Sequence, residues 1–119
     1  MHQKNLWQET SKEKIAFGNL KKSITTDLVV VGGGFTGCST ALFAAKNGLS
    51  VTLIDQKIGY GGSGRNVGLV NAGLWMPPEK VESILGLDAG VKLNNALATA
   101  PDLVFSLIDD YEINCSANR

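Results

Sequence analysis

Four glycines and one carboxylate have a spacing that predicts a specific chemistry. The segment Gly32-Gly33-Gly34-Phe35-Thr36-Gly37 fits the pattern G-x-G-x-x-G, and Asp55 follows 23 positions after Gly32. In this pattern the first glycine permits a tight turn, the second leaves room for a pyrophosphate, and the third lets a helix pack closely on a strand. The N–H groups at the start of that helix would bind the phosphates. The spacing therefore predicts a dinucleotide-binding site, with a ligand-free glycine turn as the structural alternative.

Asp55, with Gln56 beside it, is the candidate for binding the adenosine ribose. A carboxylate at this place accepts hydrogen bonds from a ribose hydroxyl, and its charge would repel a 2′-phosphate. The residue therefore argues against NADP and leaves FAD and NAD as candidate ligands. Its alternative interpretation is an ordinary solvent-exposed carboxylate at the end of a strand.

A second glycine-rich segment, KIGYGGSGRNVG, occupies residues 57 to 68, and we call it the second glycine loop. Eleven of the 14 glycines lie between positions 32 and 73, so backbone freedom is concentrated in one region. An NAD dehydrogenase does not need such a loop so close to the ribose carboxylate, whereas FAD-binding folds lay the cofactor across one. The second glycine loop therefore favours FAD over NAD.

The glycine motif lies between two predicted strands and begins a predicted helix. Leu28 to Val31 is a continuous apolar run, typical of a parallel strand that is covered on both faces. Residues 38 to 47 have helical apolar spacing and end before Gly48, and residues 50 to 55 form a second apolar strand. This order predicts a right-handed βαβ unit.

The rest of the chain is predicted to be mostly helical. Pro77 and Pro78 begin a short helix over residues 79 to 85, and residues 88 to 111 form a longer one that Pro101 should split or kink. No third strand follows, although two parallel strands cannot cover their own apolar surfaces. We therefore expect the sequence to be the N-terminal fragment of a larger protein, or a natural truncation of one.

Composition and charge exclude several other classes of protein. The 119 residues include 11 Lys and Arg against 11 Asp and Glu, so no overall basic field would attract nucleic acid. No apolar stretch reaches the roughly 20 residues that cross a bilayer, and we expect a cytoplasmic protein. His2 is the only histidine, which excludes a histidine-based triad or zinc site within these residues. Cys38 and Cys115 match no disulfide or metal-ligand spacing.

Other positions have structural interpretations. Cys38 is predicted to be a small buried packing residue, and Trp75 to pack in a core or loop, although it could reach a substrate. Residues 1 to 23 are predicted to be an irregular or partly helical leader that Leu6 and Trp7 anchor to the body of the protein.

The first strand, the glycine motif, the acid at the end of the next strand and the later GYGGSGRNVG together resemble a known family. They are similar to the N-terminus of the FAD-dependent amino acid and amine oxidases of the D-amino acid oxidase family, also called the glycine oxidase family. Leu6 and Trp7, with Thr10 ahead of the first strand, further resemble its γ-glutamylputrescine oxidase-like branch. The resemblance covers most of the chain and is most specific over residues 27 to 68.

The resemblance implies an α/β fold, namely an incomplete Rossmann-like FAD-binding βαβ unit of the GR2 type from a larger two-domain flavoenzyme. Residues 1–23 would be the leader, and residues 24–119 the N-terminal part of the FAD-binding domain. Substrate recognition and acid–base groups would lie in the part of the enzyme that is absent here. No residue in this sequence is therefore assigned a catalytic role.

The resemblance also implies which residues bind FAD. They are Gly32, Gly34, Phe35, Thr36, Gly37, Asp55, Gln56, Ser63, Gly64, Arg65, Asn66 and Gly68. Ser63 can donate its hydroxyl, and Arg65 can neutralise phosphate charge, lie near the flavin or form a structural ion pair. The family more often has Glu where this sequence has Asp55. Covalently flavinylated relatives have a histidine in the second glycine loop, and its absence here implies non-covalent FAD.

The implied function is oxidation of the C–N bond of an amine or amino acid by hydride transfer to FAD, with oxygen or a quinone as electron acceptor. One alternative is an NAD-dependent dehydrogenase, which the lack of a yellow chromophore in the full-length protein would favour. Another is a truncated nucleotide-binding fragment with no activity of its own. A cooperative unfolding transition would argue against that truncation.

Overall fold

The computed structural model describes residues 5–13 and 16–119, which belong to two compact units. The first unit is Met1–Val67 and the second is Gly68–Arg119. The histidine at position 2 lies outside the described residues, as do parts of the predicted leader. The division into a leader and a domain at residues 23 and 24 stays a prediction.

The first unit contains the predicted strand–helix–strand order. Its elements are helix α1 (Leu6–Thr10), strand β1 (Leu28–Val31), helix α2 (Phe35–Lys46) and strand β2 (Val51–Ile54). The strands pair in parallel, with Leu28 opposite Val51. Helix α2 begins at Phe35 rather than at the predicted Cys38, because the Cys38 N–H already donates to the Gly34 carbonyl. The last residues of the glycine motif are therefore the first turn of the helix.

Asp27 and Ser50 join the starts of the two strands. The Ser50 N–H and hydroxyl donate to Asp27 Oδ2 at 2.9 and 2.6 Å, and the Asp27 N–H donates to the Ser50 carbonyl at 3.1 Å. The side-chain hydrogen bond from Ser50, followed by its backbone hydrogen bond, lowers the pKa of Asp27. The pair supports the register that brings the glycine motif and Asp55 to the same end of the sheet.

We expect Asp27→Asn to destabilise the intact protein near neutral pH, and the loss to shrink as the pH falls. A carboxylate with a lowered folded-state pKa stabilises the fold above its ordinary pKa of 3.8 and loses that contribution as it becomes protonated below it. Thermal unfolding midpoints of both proteins, measured from about pH 7 to about pH 3, test this. A difference in midpoint that stays constant with pH would contradict a role for the Asp27 charge.

Strand β1 is covered on one face. Val30 is 9% exposed, whereas its neighbours Val29 and Val31 are 51% and 84% exposed. Side chains alternate between the two faces of a strand, and α2 packs on the face that contains Val30. The predicted coverage of β1 on both faces is therefore absent from the described part of the chain.

Two helices make up most of the second unit. They are α3 (Pro78–Leu85) and α4 (Leu87–Asp110), which meet at Gly86. The helices pack closely, because Val81 is 3% exposed and a Cβ on Gly90 would lie 2.4 Å from Glu82 Cα. Pro101 does not split α4, which continues through it as one helix. None of the helices within the described ranges has the length and hydropathy to span a membrane.

Two packing predictions are wrong. Cys38 is exposed on α2, and Trp75 in the second unit is 101% exposed. The residue types favour burial, but the type of a residue does not specify which face of its element is covered. No described element covers either side chain.

Candidate functional site

Gly32 and Gly37 form the turn between β1 and α2. Gly32 has a φ of +105°, which favours glycine, and its N–H donates to the Ile54 carbonyl at 2.7 Å. A Cβ built on Gly37 would lie 1.8 Å from the Gly32 carbonyl oxygen and 3.3 Å from Val30 Cγ1. No side chain fits at Gly37, so the helix and the end of the strand are in backbone contact there.

The first backbone donor of α2 is bound by a side chain of the second glycine loop. Gly34 is the N-cap residue and has no side chain, and the Phe35 N–H donates instead to Ser63 Oγ at 3.1 Å. A Cβ on Gly34 would lie 3.0 Å from the same oxygen. The N–H groups of Thr36 and Gly37 precede the first bond of the helix ladder. Together with the Ser63 hydroxyl hydrogen, these groups can bind an anion at the helix start.

Asp55 lies at the end of β2 beside the glycine turn. Its Oδ2 accepts a hydrogen bond from the Gly33 N–H at 2.5 Å, and its Oδ1 accepts one from the Lys57 N–H at 2.7 Å. These bonds, with that from Gly33 the stronger influence, hold the pKa of Asp55 below its ordinary value. A carboxylate has about four acceptor positions, so this ionised group can also accept hydroxyl donors of a sugar.

Two cavities of the first unit meet at Asp55. A cleft of about 100 Å³ lies between the two glycine segments, with Gly33 and Gly34 on one wall and residues 59 and 61–64 on the other. An open groove of about 1070 Å³ lies between the leader and β2, and Gln56 borders it. The groove is larger, but Ser63, whose hydroxyl is a candidate donor to an anion, lines the cleft. A ligand with an anionic part and a larger organic part could therefore extend from the cleft past Asp55 into the groove.

The second glycine loop is a compact turn. Its residues Ser63–Arg65 form a single turn of 3-10 helix, and a Cβ on Gly64 would lie 2.0 Å from the Gly59 carbonyl oxygen. The Asn66 side chain donates to the Ser63 carbonyl at 2.6 Å. The glycines thus permit the backbone approach that places Ser63 at α2. Gly68, the last residue of the loop, belongs to the second unit and has a φ of +77°.

Arg65 has aromatic surroundings. Its guanidinium carbon lies 5.4 Å from the centre of the Tyr60 ring, and Lys57 Nζ lies 4.5 Å from the same centre. The negative face of an aromatic ring attracts such cations. Among residues 5–13 and 16–119, no salt bridge involves Arg65. In that part of the chain, Arg65 therefore does not form the structural ion pair that was the alternative to a role in binding.

The leader contacts the second glycine loop through Trp7 and through a residue that is absent from the predicted site. The Trp7 indole N–H donates to the Asn66 carbonyl at 2.8 Å, so Trp7 is an anchor as predicted. Leu6 is not, because it is 65% exposed. Asn5 is 7% exposed and takes that role. Its only signal in the sequence is that asparagine favours the N-cap position of a helix.

Asn5 binds two carbonyls of the loop at once. Its side-chain N–H groups donate to the Gly59 carbonyl at 3.1 Å and to the Gly64 carbonyl at 2.6 Å. Its Oδ1 accepts a hydrogen bond from the Trp7 N–H at 3.0 Å, which caps α1. A single buried amide therefore connects the start of the leader helix to both ends of the glycine turn.

The chemistry that these residues support is binding of a phosphorylated sugar. The helix start and Ser63 offer donors to an anion, and Asp55 offers acceptors to hydroxyl groups. Among the residues that the structure describes, no group of His, Cys, Asp and Glu could hold a metal ion. The arrangement therefore suits the diphosphate and ribose of a dinucleotide.

Comparison with known proteins finds similar sequences over nearly the whole chain. A family model described as DAO, FAD dependent oxidoreductase, matches residues 27–119. The chain is 31% identical over 115 residues to gamma-glutamylputrescine oxidoreductase of Escherichia coli (strain K12), a match that covers 96% of this chain and 27% of that protein. It is 32% identical over 110 residues to probable oxidoreductase OrdL of Rhizobium meliloti (strain 1021), covering 91% of this chain and 26% of that protein.

A shorter match is to a protein named for a hydroxy acid. The mitochondrial L-2-hydroxyglutarate dehydrogenase of Caenorhabditis elegans is 40% identical over 81 residues, which cover 60% of this chain and 19% of that protein. The chain thus spans about a quarter or less of the length of these relatives. No solved structure matches the chain significantly.

Proposed function

The chain belongs to the FAD-dependent oxidoreductase family, and we propose that it supplies the ADP-binding part of the FAD site in an enzyme that oxidises the C–N bond of an amine or amino acid. The similarity to gamma-glutamylputrescine oxidoreductase supports the amine substrate, and the observation that carries the FAD-binding part of the proposal is the hydrogen bond between the Phe35 N–H and Ser63 Oγ. It joins the first glycine motif to the second glycine loop at the start of α2. An FAD-binding fold needs both segments at its diphosphate, whereas a simple NAD site needs only the first.

The donor set fits the diphosphate of FAD. The N–H groups of Thr36 and Gly37 and the Ser63 hydroxyl would bind its oxygens, and the helix dipole of α2 favours the negative charge there. Gly34 leaves the space that a side chain would fill, and Gly32 makes the turn. The cations on Tyr60 add positive charge to the second glycine loop.

The adenosine half of FAD would extend past Asp55 into the larger groove. Asp55 would accept hydrogen bonds from the ribose hydroxyls, and Gln56 borders the groove beyond it. Gly64 and Asn66 would shape the path from the diphosphate towards the flavin, and a role for Gly68 stays a prediction. The second glycine loop contains no histidine, which supports non-covalent binding.

When bound, FAD would supply a two-electron oxidant for the C–N bond: the substrate would lose a hydride and a proton, and water would hydrolyse the resulting imine to a carbonyl compound and an amine or ammonia. The role of this chain is to hold the cofactor, since the cofactor supplies the redox chemistry. Oxygen or a quinone would reoxidise the flavin.

The visible spectrum of the intact purified protein, recorded before and after anaerobic addition of amines and amino acids, tests the proposal. We expect the yellow absorbance of oxidised flavin, and we expect one or more of these compounds to bleach it with formation of the carbonyl product. A protein that lacks bound flavin and does not acquire it from added FAD would contradict the proposal. NAD-dependent turnover by that protein would support the dehydrogenase alternative.

A second candidate is oxidation of the C–O bond of a 2-hydroxy acid. The similarity to a protein named L-2-hydroxyglutarate dehydrogenase favours it, because the same FAD-binding segment can serve either reaction. 2-Hydroxyglutarate and related hydroxy acids therefore belong in the same anaerobic panel. Bleaching by a hydroxy acid alone would replace the amine assignment while leaving the FAD site in place.

A further inference from the structure

We propose that Asn5 and Trp7 are positioning residues of the cofactor site, because they hold the second glycine loop in the shape that receives the diphosphate of FAD. We call the two residues the leader clamp. This inference rests on the proposed function, since it assumes that FAD binds at the start of α2. It assigns to the leader a role in forming the site.

Three donors of the leader clamp bind three carbonyls of the same loop. Asn5 donates to the Gly59 and Gly64 carbonyls, and the Trp7 indole donates to the Asn66 carbonyl, at distances of 3.1, 2.6 and 2.8 Å. Carbonyl oxygens carry partial negative charge and would repel a phosphate if they faced it. Each carbonyl that binds the leader clamp is therefore kept from facing the anion.

The Asn5 amide lies where two backbone segments approach each other. A Cβ on Gly64 would lie only 2.0 Å from the Gly59 carbonyl oxygen, so the carbonyls of these two glycines belong to one crowded turn. The Asn5 residue is 7% exposed, so water has little access to replace its amide. Loss of a donor here would leave two carbonyls without a partner, which is more costly in a buried place than in solvent.

The leader clamp acts on the proposed site through Ser63. This residue begins the 3-10 turn Ser63–Arg65. Of the three residues whose carbonyls bind the leader clamp, Gly59 precedes Ser63 in the chain, and Gly64 and Asn66 follow it. The hydroxyl in turn binds the Phe35 N–H at 3.1 Å. A loop released by the leader would no longer hold Ser63 at the helix start, and FAD binding would have to order the loop again.

Two substitutions of Asn5 separate this role from simple capping of α1. Asn5→Asp keeps an oxygen for the Trp7 N–H, and aspartate is a good N-cap residue, but it places a carboxylate against the Gly59 and Gly64 carbonyls. Asn5→Ala removes the cap as well as the two loop bonds. If Asn5 only capped α1, alanine would be the more harmful change.

If the leader clamp positions the loop, Asn5→Asp should weaken FAD binding more than Asn5→Ala does. The Kd is measured by titrating the FAD-free intact protein with FAD and following flavin fluorescence. We expect Asn5→Asp to raise the Kd for FAD by about 30-fold and Asn5→Ala by about 10-fold, since two hydrogen bonds are lost and the carboxylate adds repulsion. Trp7→Phe, which keeps an aromatic ring and loses only the N–H, should raise it by about fivefold. Leu6→Ala, an exposed neighbour in the same helix, is the matched control and should leave the Kd unchanged.

Hydrogen–deuterium exchange of the FAD-free protein gives a readout that does not depend on the cofactor. Amides of residues 59–66 should exchange faster in Asn5→Asp than in the wild type and the Leu6→Ala control, while those of α2 beyond its first turn should not change. The proposed role of the leader clamp is wrong if the wild type binds FAD but Asn5→Asp leaves both the loop exchange and the Kd unchanged. It is also wrong if Asn5→Ala raises the Kd more than Asn5→Asp does. If the wild type binds no FAD, the proposed function fails, and the role of the clamp in cofactor binding fails with it.

Discussion

Gly37→Ala is expected to abolish FAD retention by the intact protein, although alanine forms helices better than glycine. In an ordinary helix position the change would stabilise the fold by about 1 kcal/mol. Here the new Cβ would lie 1.8 Å from the Gly32 carbonyl oxygen, which is backbone and cannot rotate away. The helix start must therefore move from the end of β1, and overpacking of this kind costs about 1–3 kcal/mol or more. We expect FAD affinity to fall by at least about 30-fold, because the diphosphate donors move with the helix.

The bound flavin content of the purified variant and its Kd for FAD measure this effect. Ser39→Ala is a control in the same helix, since Ser39 is exposed and lies outside the proposed site. Ser39→Ala should retain flavin at the wild-type level. A Gly37→Ala protein with full flavin content would show that the helix start can shift without loss of the site, and the proposed placement of the diphosphate at residues 36 and 37 would then be wrong.

The elements that position the site could be predicted because their signals are local. The apolar run of β1, the glycines after it and the apolar run of β2 each fix the backbone over a few neighbouring residues, and parallel pairing of the strands follows. The early start of α2 at Phe35 differs from the prediction for a related reason. Helical spacing of apolar residues becomes visible only after Gly37, whereas the first helical bond already reaches back to Gly34.

The contacts that complete the candidate site could not be predicted, because they join residues far apart in the chain. Ser63 caps a helix that begins 28 positions earlier, and Asn5 binds carbonyls 54 and 59 positions later. No local propensity of serine or asparagine specifies such a partner. The Asn5 side chain also carries no reactive group, so its residue type indicates no catalytic role.

For Asp55, the sequence predicts the position of the residue but not its contacts. Its place at the end of β2 follows from the motif, but its hydrogen bonds to the Gly33 and Lys57 N–H groups do not. These bonds fix the short side chain beside the glycine turn and keep it ionised. A ribose bound by this short side chain would lie close to the turn.

Gly34→Val is expected to remove bound FAD by filling the space proposed for the diphosphate. Gly34 has φ −84° and ψ −172°, an extended conformation that valine adopts without strain, so the backbone itself need not change. The Cβ would lie 3.0 Å from Ser63 Oγ, and the two methyl groups of valine would extend into the cleft between the glycine segments. We expect the variant to fold, because the only close contact is the end of a serine side chain, and to lose FAD affinity by about 100-fold or more, as overpacking in a binding site of this kind costs about 3 kcal/mol.

Two further variants decide whether valine acts on the diphosphate or on Ser63. Gly34→Ala adds only the Cβ, and a small rotation of the Ser63 hydroxyl can accommodate it, so its Kd for FAD should rise by less than about tenfold. The double variant Gly34→Val with Ser63→Ala removes the contact with the hydroxyl but leaves the methyl groups in the cleft. It should bind FAD at least as poorly as Gly34→Val alone, because the obstruction is in the space of the ligand and the Ser63 donor is lost as well. Recovery of affinity in the double variant would mean that valine acts by disturbing the hydrogen bond between Ser63 and Phe35. Retention of flavin by Gly34→Val would exclude the cleft as the diphosphate site.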